Sequence, residues 1–311
     1  MSSLAEEVAQ LRGTRSASFK DLLTRAPFPR LLAAQTVSSL GDWVGFVAVA
    51  SLVARLGGNR GAYAVAGVMV ARMLPSILFG PIAGALVDRI DRKRIMITAD
   101  LSRGALYALM PFLGKLWAIF AVSFVIECLS LLWTPARDAS LPNLVPRRQL
   151  ANANSLGLVA TYGTLPLGGA IFAFLAGTSS LIPYFTVRPE YLALWLDAAT
   201  FAFSAVMISG ISIPAPPARS GGRFVMAKVW TDIVAGVRFL RASPLASSMT
   251  VGIVAAFSAV GAVLAIGPFF AQKTLLAGAT GWGVLVTSFG IGMAIGMATV
   301  NKLVEFAERD R

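Results

Sequence analysis

Eight apolar stretches, each close to the length of one bilayer crossing, divide this chain; they lie near 31–54, 62–87, 95–113, 117–134, 152–176, 191–212, 246–270 and 281–301. An α-helix rises 1.5 Å per residue, so about 20 apolar residues cross a hydrocarbon layer of ~30 Å. Inside such a layer every backbone N–H and C=O needs an internal partner, which leaves helices and closed barrels as spanning structures. Uninterrupted apolar runs of this length are helical runs. The expected fold class is therefore all-α and integral to a membrane.

Composition excludes the alternatives. With 56% hydrophobic and 14% charged residues, a soluble globule would lack the polar surface it needs. The net charge of 27 − 15 = +12 would favour a nucleic-acid partner in a soluble protein. Here the basic residues sit between the apolar runs, so membrane topology accounts for them and no nucleic-acid partner is expected. The chain has no histidine and one cysteine, Cys128. That removes the usual proton switch, a disulfide framework and any multi-cysteine metal site, so no cofactor or metal is expected. Any proton coupling falls to Asp or Glu.

Orientation follows from Lys and Arg. Twenty fall on one side of the apolar runs, from Arg12 to Arg311, against five on the other: Arg55, Arg60, Lys115, Arg188 and Lys273. The positive-inside rule puts the amino terminus in the cytoplasm and the protein in the cytoplasmic membrane. Residues 1–30 are too polar for a signal peptide and form a cytoplasmic segment, with Leu4 to Leu11 either a short amphipathic helix or disordered. A six-helix bundle over 31–212 follows. Residues 213–245 form a cytoplasmic linker in which Val225 to Leu240 reads as a basic amphipathic helix. Two further helices occupy 246–311.

Between the second and third runs the chain reads Gly80-Pro81-Ile82-Ala83-Gly84-Ala85-Leu86-Val87-Asp88-Arg89-Ile90-Asp91-Arg92-Lys93-Arg94. Gly84, Asp88, Arg89, Arg92 and Lys93 closely resemble the loop between helices 2 and 3 of the major facilitator superfamily, although that family usually has Gly where this chain has Asp91. Thr134 to Ser155 is similar to the helix 4–5 connection of the superfamily's macrolide-, tetracycline- and enterobactin-exporter branch, and Asp100-Leu101-Ser102-Arg103 and Asp197 also look like that branch. By itself, the connection is a proline-bounded connector with basic residues. Gly163 to Ala170 partly resembles the proline–glycine antiporter motif of drug exporters, with Pro166 and Gly169 in register.

The resemblance implies the superfamily's six-helix first half and the first two helices of its second half. The chain looks truncated after helix 8 of 12, with the remaining helices expected further along the same polypeptide. It implies alternating access around a midplane site, with proton-coupled efflux of amphipathic small molecules such as drug-like compounds or siderophores. The expected partners are that substrate, protons and the bilayer.

Charged residues inside a membrane are costly and mark candidate sites. Asp42, Arg72 and Glu127 each fall about ten residues into their runs, near the midplane. In the functional reading Asp42 or Glu127 binds and releases a proton while Arg72 tunes or neutralises it, with Asp42 and Arg72 able to pair. The competing reading is a fixed ion pair locking two helices. Asp100 and Arg103, three apart on one helical face, read foremost as a structural pair. Gly84, Asp88, Arg89, Arg92 and Lys93 read as a cytoplasmic gate, against a purely topogenic basic loop. Pro166 and Gly169 read as a hinge, against an ordinary kinked packing helix. The pairs Gly80/Gly84 and Gly292/Gly296 read as close-packing motifs. Asp197 reads as a structural or cavity-rim residue near the external surface. Trp43, Phe46, Trp133 and Tyr162 are candidate cavity aromatics, while Trp117 and Trp195 suit the interfacial belt.

Two rival readings remain: a transporter-like module fused to a soluble enzymatic domain beyond residue 311, and a non-transporting scaffold. No phosphate loop, metal cluster or nucleophile–base arrangement occurs in these residues, so the chain itself reads as non-enzymatic.

Overall fold

A computed structural model describes residues 22–24, 27–87, 90–178, 188–214, 234–236 and 238–309. Leu4 to Leu11, for which a short amphipathic helix and disorder stand as alternatives, and the linker helix at Val225 to Leu240 fall wholly or mostly outside these residues, as do Asp88 and Arg89 of the basic loop. Nine α-helices organise the described residues. They are α1 Pro27–Leu56, α2 Gly61–Val87, α3 Arg92–Leu109, α4 Leu116–Leu144, α5 Leu150–Tyr162, α6 Leu165–Thr178, α7 Pro189–Ser209, α8 Pro244–Phe269 and α9 Gly278–Arg309. Seven membrane-length apolar segments run through this set, α5 and α6 counting together. α3 misses that standard because Arg92, Lys93, Arg94, Asp100 and Arg103 lie within it.

α1 is the axis of the bundle. It packs most extensively on α7 and also touches α2, α5, α6 and α8; α2 lies on α4, α3 on α4 and α7, and α6 on α9. Between Val47 and Ala54 small side chains dominate α1, and all of them are buried. Lipid tails are as apolar as leucine, so such contacts gain from close packing rather than from exclusion of water.

Three boundaries differ from the sequence reading. The fourth run does not stop at Thr134: α4 continues through Pro135 and Pro142 to Leu144, which shortens the connector to Val145–Gln149. Each proline removes one backbone bond, and burial of Trp133, Ala136, Ser140, Leu141 and Leu144 holds the helix across the gaps. The fifth run breaks at Gly163–Thr164 into α5 and α6. Pro166 has no N–H to give the Tyr162 carbonyl, and one residue earlier the Thr161 carbonyl accepts from the Trp43 indole at 2.6 Å. The eighth run extends to Arg309.

The packing glycines are not the ones the spacing picked out. A Cβ on Gly80, Gly84, Gly292 or Gly296 would meet nothing within 4 Å. The close approach lies between α6 and α9, where a Cβ on Gly169 would stand 2.7 Å from the Thr287 amide and one on Gly290 would stand 2.9 Å from Pro166. Pro166 and Gly169 thus sit where the first six-helix unit meets α9.

Candidate functional site

Asp91, the departure from the family's usual glycine, caps α3. Its carboxylate accepts from the backbone amides of Lys93 at 2.9 Å and Arg94 at 3.2 Å, filling two of the orphan donors of a helix start. Lys93 Nζ then donates to the carbonyl of Ser209 at 2.7 Å and Arg30 to that of Gly210 at 3.0 Å. Both cations serve the C-terminal end of α7, where helix carbonyls carry partial negative charge. Arg92 reaches Ala139 of α4 at 2.7 Å. These ties all stay within α1–α7. They gather the Lys and Arg residues at one end of the bundle, here termed the basic end.

A cavity of about 740 Å³ rises from this end between α1, α2, α3, α4 and α5. Its size falls within the usual range of roughly 300–1,000 Å³ for small-molecule sites. Leu150 and Asn154 line it at the basic end, and Phe46 and Arg72 line its deepest part. Asp42, Arg72 and Glu127, from three different helices, all face this one space, as do Trp43, Phe46, Trp133 and Tyr162. Among the described residues, those of α8 and α9 contribute none of its lining.

The charges pair differently from the sequence expectation. Arg72 is 3.6 Å from Glu127 on α4, not paired with Asp42, and its guanidinium lies 5.5 Å from the Phe46 ring centroid. Asp42 instead lies 3.7 Å from Arg103. Arg103 also forms an ion pair with Asp100, donates to Ser130 at 3.2 Å and stacks over Phe201 at 4.2 Å. The other oxygen of Asp100 accepts from Ser204 on α7 at 2.7 Å. Asp100 and Arg103 are thus more than a local pair: Arg103 connects the cavity carboxylate to a fully buried one. The i,i+3 spacing exposed the pair but not its reach across to α1.

A second arginine at the basic end escaped the sequence reading. Arg137, buried and beside Asp138 at 2.6 Å, lays its guanidinium against Gly157 of α5, where a Cβ would collide with it. Gln35 donates to the Gly157 carbonyl and to Thr161, each at 3.0 Å. In the sequence Arg137 counts only among the basic residues of the Thr134 to Ser155 connector. The extension of α4 turns it inward.

The opposite end is closed. Glu190, buried at the start of α7, accepts from Arg55 at 3.3 Å and Ser51 at 3.4 Å. Gln272, in the π-helical turn after α8, reaches the Ser51 hydroxyl at 3.4 Å. The indole of Trp282 on α9 is buried against Gly267 and donates to the Val47 carbonyl at 3.2 Å.

The fold of the described helices has known counterparts. The profile of the transmembrane secretion effector family of the major facilitator superfamily matches residues 18–311. The chain belongs to that family. A search of solved structures finds a bacterial homologue of the human lysosomal transporter Spinster, in an inward-facing and unoccupied conformation, with a TM-score of 0.69. That match covers 91% of this chain and 63% of that one at 15% identity, which speaks for the fold alone. Among curated relatives, the chain is 31% identical over 216 residues to the uncharacterised MFS-type transporter YfiS of Bacillus subtilis, 69% of this chain and 49% of that protein. It is 30% identical over 194 residues to the putative bacilysin exporter BacE of Bacillus amyloliquefaciens, 61% of this chain and 45% of the relative. Over 82 residues it is 43% identical to macrolide efflux protein A of Enterococcus faecalis, a quarter of each chain. The chain spans about half or less of the length of these three relatives. The membrane-length helices and the family together make it a multi-pass membrane protein.

Proposed function

We propose that this chain carries the substrate cavity of a proton-coupled exporter of amphipathic small molecules that works by alternating access. The basic end faces the cytoplasm, so the conformation described is inward-facing, and further helices of the same polypeptide supply the other wall of the cavity. One observation carries this reading: Trp43, Phe46, Trp133 and Tyr162 share a single cavity with Asp42, Arg72, Arg103 and Glu127. Aromatic faces hold the flat or cationic part of a substrate, and the carboxylates hold its charge or a proton.

In the mechanism, Glu127 exchanges Arg72 for a proton, and Asp42 exchanges Arg103. Each exchange frees a guanidinium that must find another partner, and that requirement couples protonation to helix movement. For Arg103 that partner is at hand in Asp100. Arg92 and Lys93, with Asp88 and Arg89, form the cytoplasmic gate, and Pro166–Gly169 is the hinge against α9. The relatives named as exporters support the direction of transport.

The experiment is accumulation of fluorescent lipophilic cations by inside-out vesicles holding the full-length protein. An imposed proton gradient is expected to drive accumulation of at least one dye, and a protonophore is expected to abolish it. Accumulation indifferent to the protonophore would overturn the coupling. No accumulation across the dye panel would overturn the substrate class.

A further inference from the structure

Asp197 lines no part of the cavity, yet among the described residues it is a carboxylate with a buried oxygen that has no hydrogen-bond partner. It lies eight residues into α7, ~12 Å from the start of that helix, not at a rim. Its side chain is fully buried and lines no part of the cavity. A notch in α1 receives it: Cβ atoms on Gly41 or Gly45 would collide with the Asp197 carboxyl oxygens. The same turn of α1 therefore presents Asp42 to the cavity and this notch to α7.

Among the described residues Oδ2 of Asp197 has no hydrogen-bond partner. The nearest help for Oδ1 is the Thr200 hydroxyl at 3.4 Å, which donates its single hydrogen to the Asp197 carbonyl at 2.7 Å. That hydroxyl keeps its lone pairs, so it can accept from a carboxylic acid but has no hydrogen left for a carboxylate. The charged groups near enough to act on Asp197 are Asp42 on α1, Arg72 on α2 and Arg103 on α3, and Tyr107 of α3 lies beside it at the Gly45 notch. Both cations are engaged elsewhere, Arg72 with Glu127 and Arg103 with Asp42 and Asp100. A buried carboxylate with neither a cation nor a full set of donors is costly as an ion, and the neutral acid removes that cost.

We propose that Asp197 is a second proton-carrying residue, separate from the cavity carboxylates, that holds its proton while α1 and α7 are closed on each other. The proton leaves as a hydrated proton when α1 shifts off α7 and Oδ2 gains water, and the carboxylate regains it on closing. The part this plays in transport rests on the exporter reading; the presence of the proton does not.

Infrared difference spectroscopy of the full-length protein in lipid isolates the group. An un-ionised carboxyl C=O stretch is expected at neutral pH, removed by D197N and kept in D42N and in E127Q. A spectrum that D197N leaves unchanged, or a band that D42N or E127Q also removes, overturns the proposal. Should D197N fail to reach the membrane, the D42N/E127Q variant still tests the proposal, because loss of the band there overturns it. In vesicles, D197N is expected to lose roughly tenfold of the proton-driven acceleration of dye transport. Full acceleration in D197N, beside a band that the substitution removes, would mean a fixed proton and overturn its part in the cycle. Wild-type protein that moves no dye would count against the exporter reading and leave the infrared result standing.

Discussion

α1 is two helices in one. From Val47 to Ala54 every side chain is buried, and the second unit presses on it through Trp282 and Gln272. One turn earlier the same helix carries Asp42, Trp43 and Phe46 into an open cavity that no described residue of α8 or α9 lines. Both parts are apolar enough for a membrane, so hydropathy does not distinguish them. Side-chain size and charge do. Valine and alanine let an indole and a glutamine from the other unit close the far end, while Asp42, Arg72, Arg103 and Glu127 gather in the cavity.

The largest expected effect breaks the seal. Trp282→Ala removes a buried ring and its hydrogen bond to Val47, and should cost about 3 kcal/mol of packing. Thermal unfolding of the purified full-length protein should start several degrees lower, and the far end should open more often. Unchanged stability would mean that the two units are held together elsewhere.

Next comes the cavity. Arg72→Met leaves Glu127 without its cation. Loss of a dry buried pair costs ~3–5 kcal/mol; these side chains are 18% and 25% exposed, so about 2 kcal/mol is expected and transport should fall at least tenfold. The exchange R72E/E127R should recover part of that rate, whereas R72E alone should not. Equal rates for R72E and R72E/E127R, measured at matched abundance, would show that the pair does not act as a unit.

The smallest effect lies at the basic end. Asp91→Ala removes the cap of α3 and should cost about 1 kcal/mol, with transport within twofold of wild type, roughly the scale of a few tenths of a kcal/mol. A severe transport defect at normal stability would place Asp91 in the gate rather than in the helix cap.

Much of this contrast was legible in the residues. Apolar length and the Lys and Arg distribution led to the helices and to the gathering of charge at one end. Counting residues from the run ends put Asp42, Arg72 and Glu127 at one depth, and they do share one cavity. Which charges pair was not legible, because depth carries no information on rotation. α1 turns Asp42 toward Arg103 on α3, and α2 turns Arg72 toward Glu127 on α4. The glycine spacing misled in the same way. A G-x-x-x-G pair presents a smooth stripe, but only a neighbouring helix makes use of it, and α6 and α9 meet closely at Gly169, Gly283 and Gly290 instead. Prolines misled about α4, since Pro135 and Pro142 weaken a helix that its buried face sustains. Asp197 looked superficial because its helix starts earlier than its apolar run suggests.

Cysteine accessibility tests the central claim of an open near half and a sealed far half most directly. In the full-length protein with Cys128→Ser, single cysteines replace Thr134, which lines the cavity, or Ala50, which is fully buried on α1. A membrane-impermeant maleimide should label T134C in inside-out vesicles and leave A50C unlabelled there and in right-side-out vesicles. Labelling of A50C as fast as T134C from the basic side, or protection of T134C, would contradict the account.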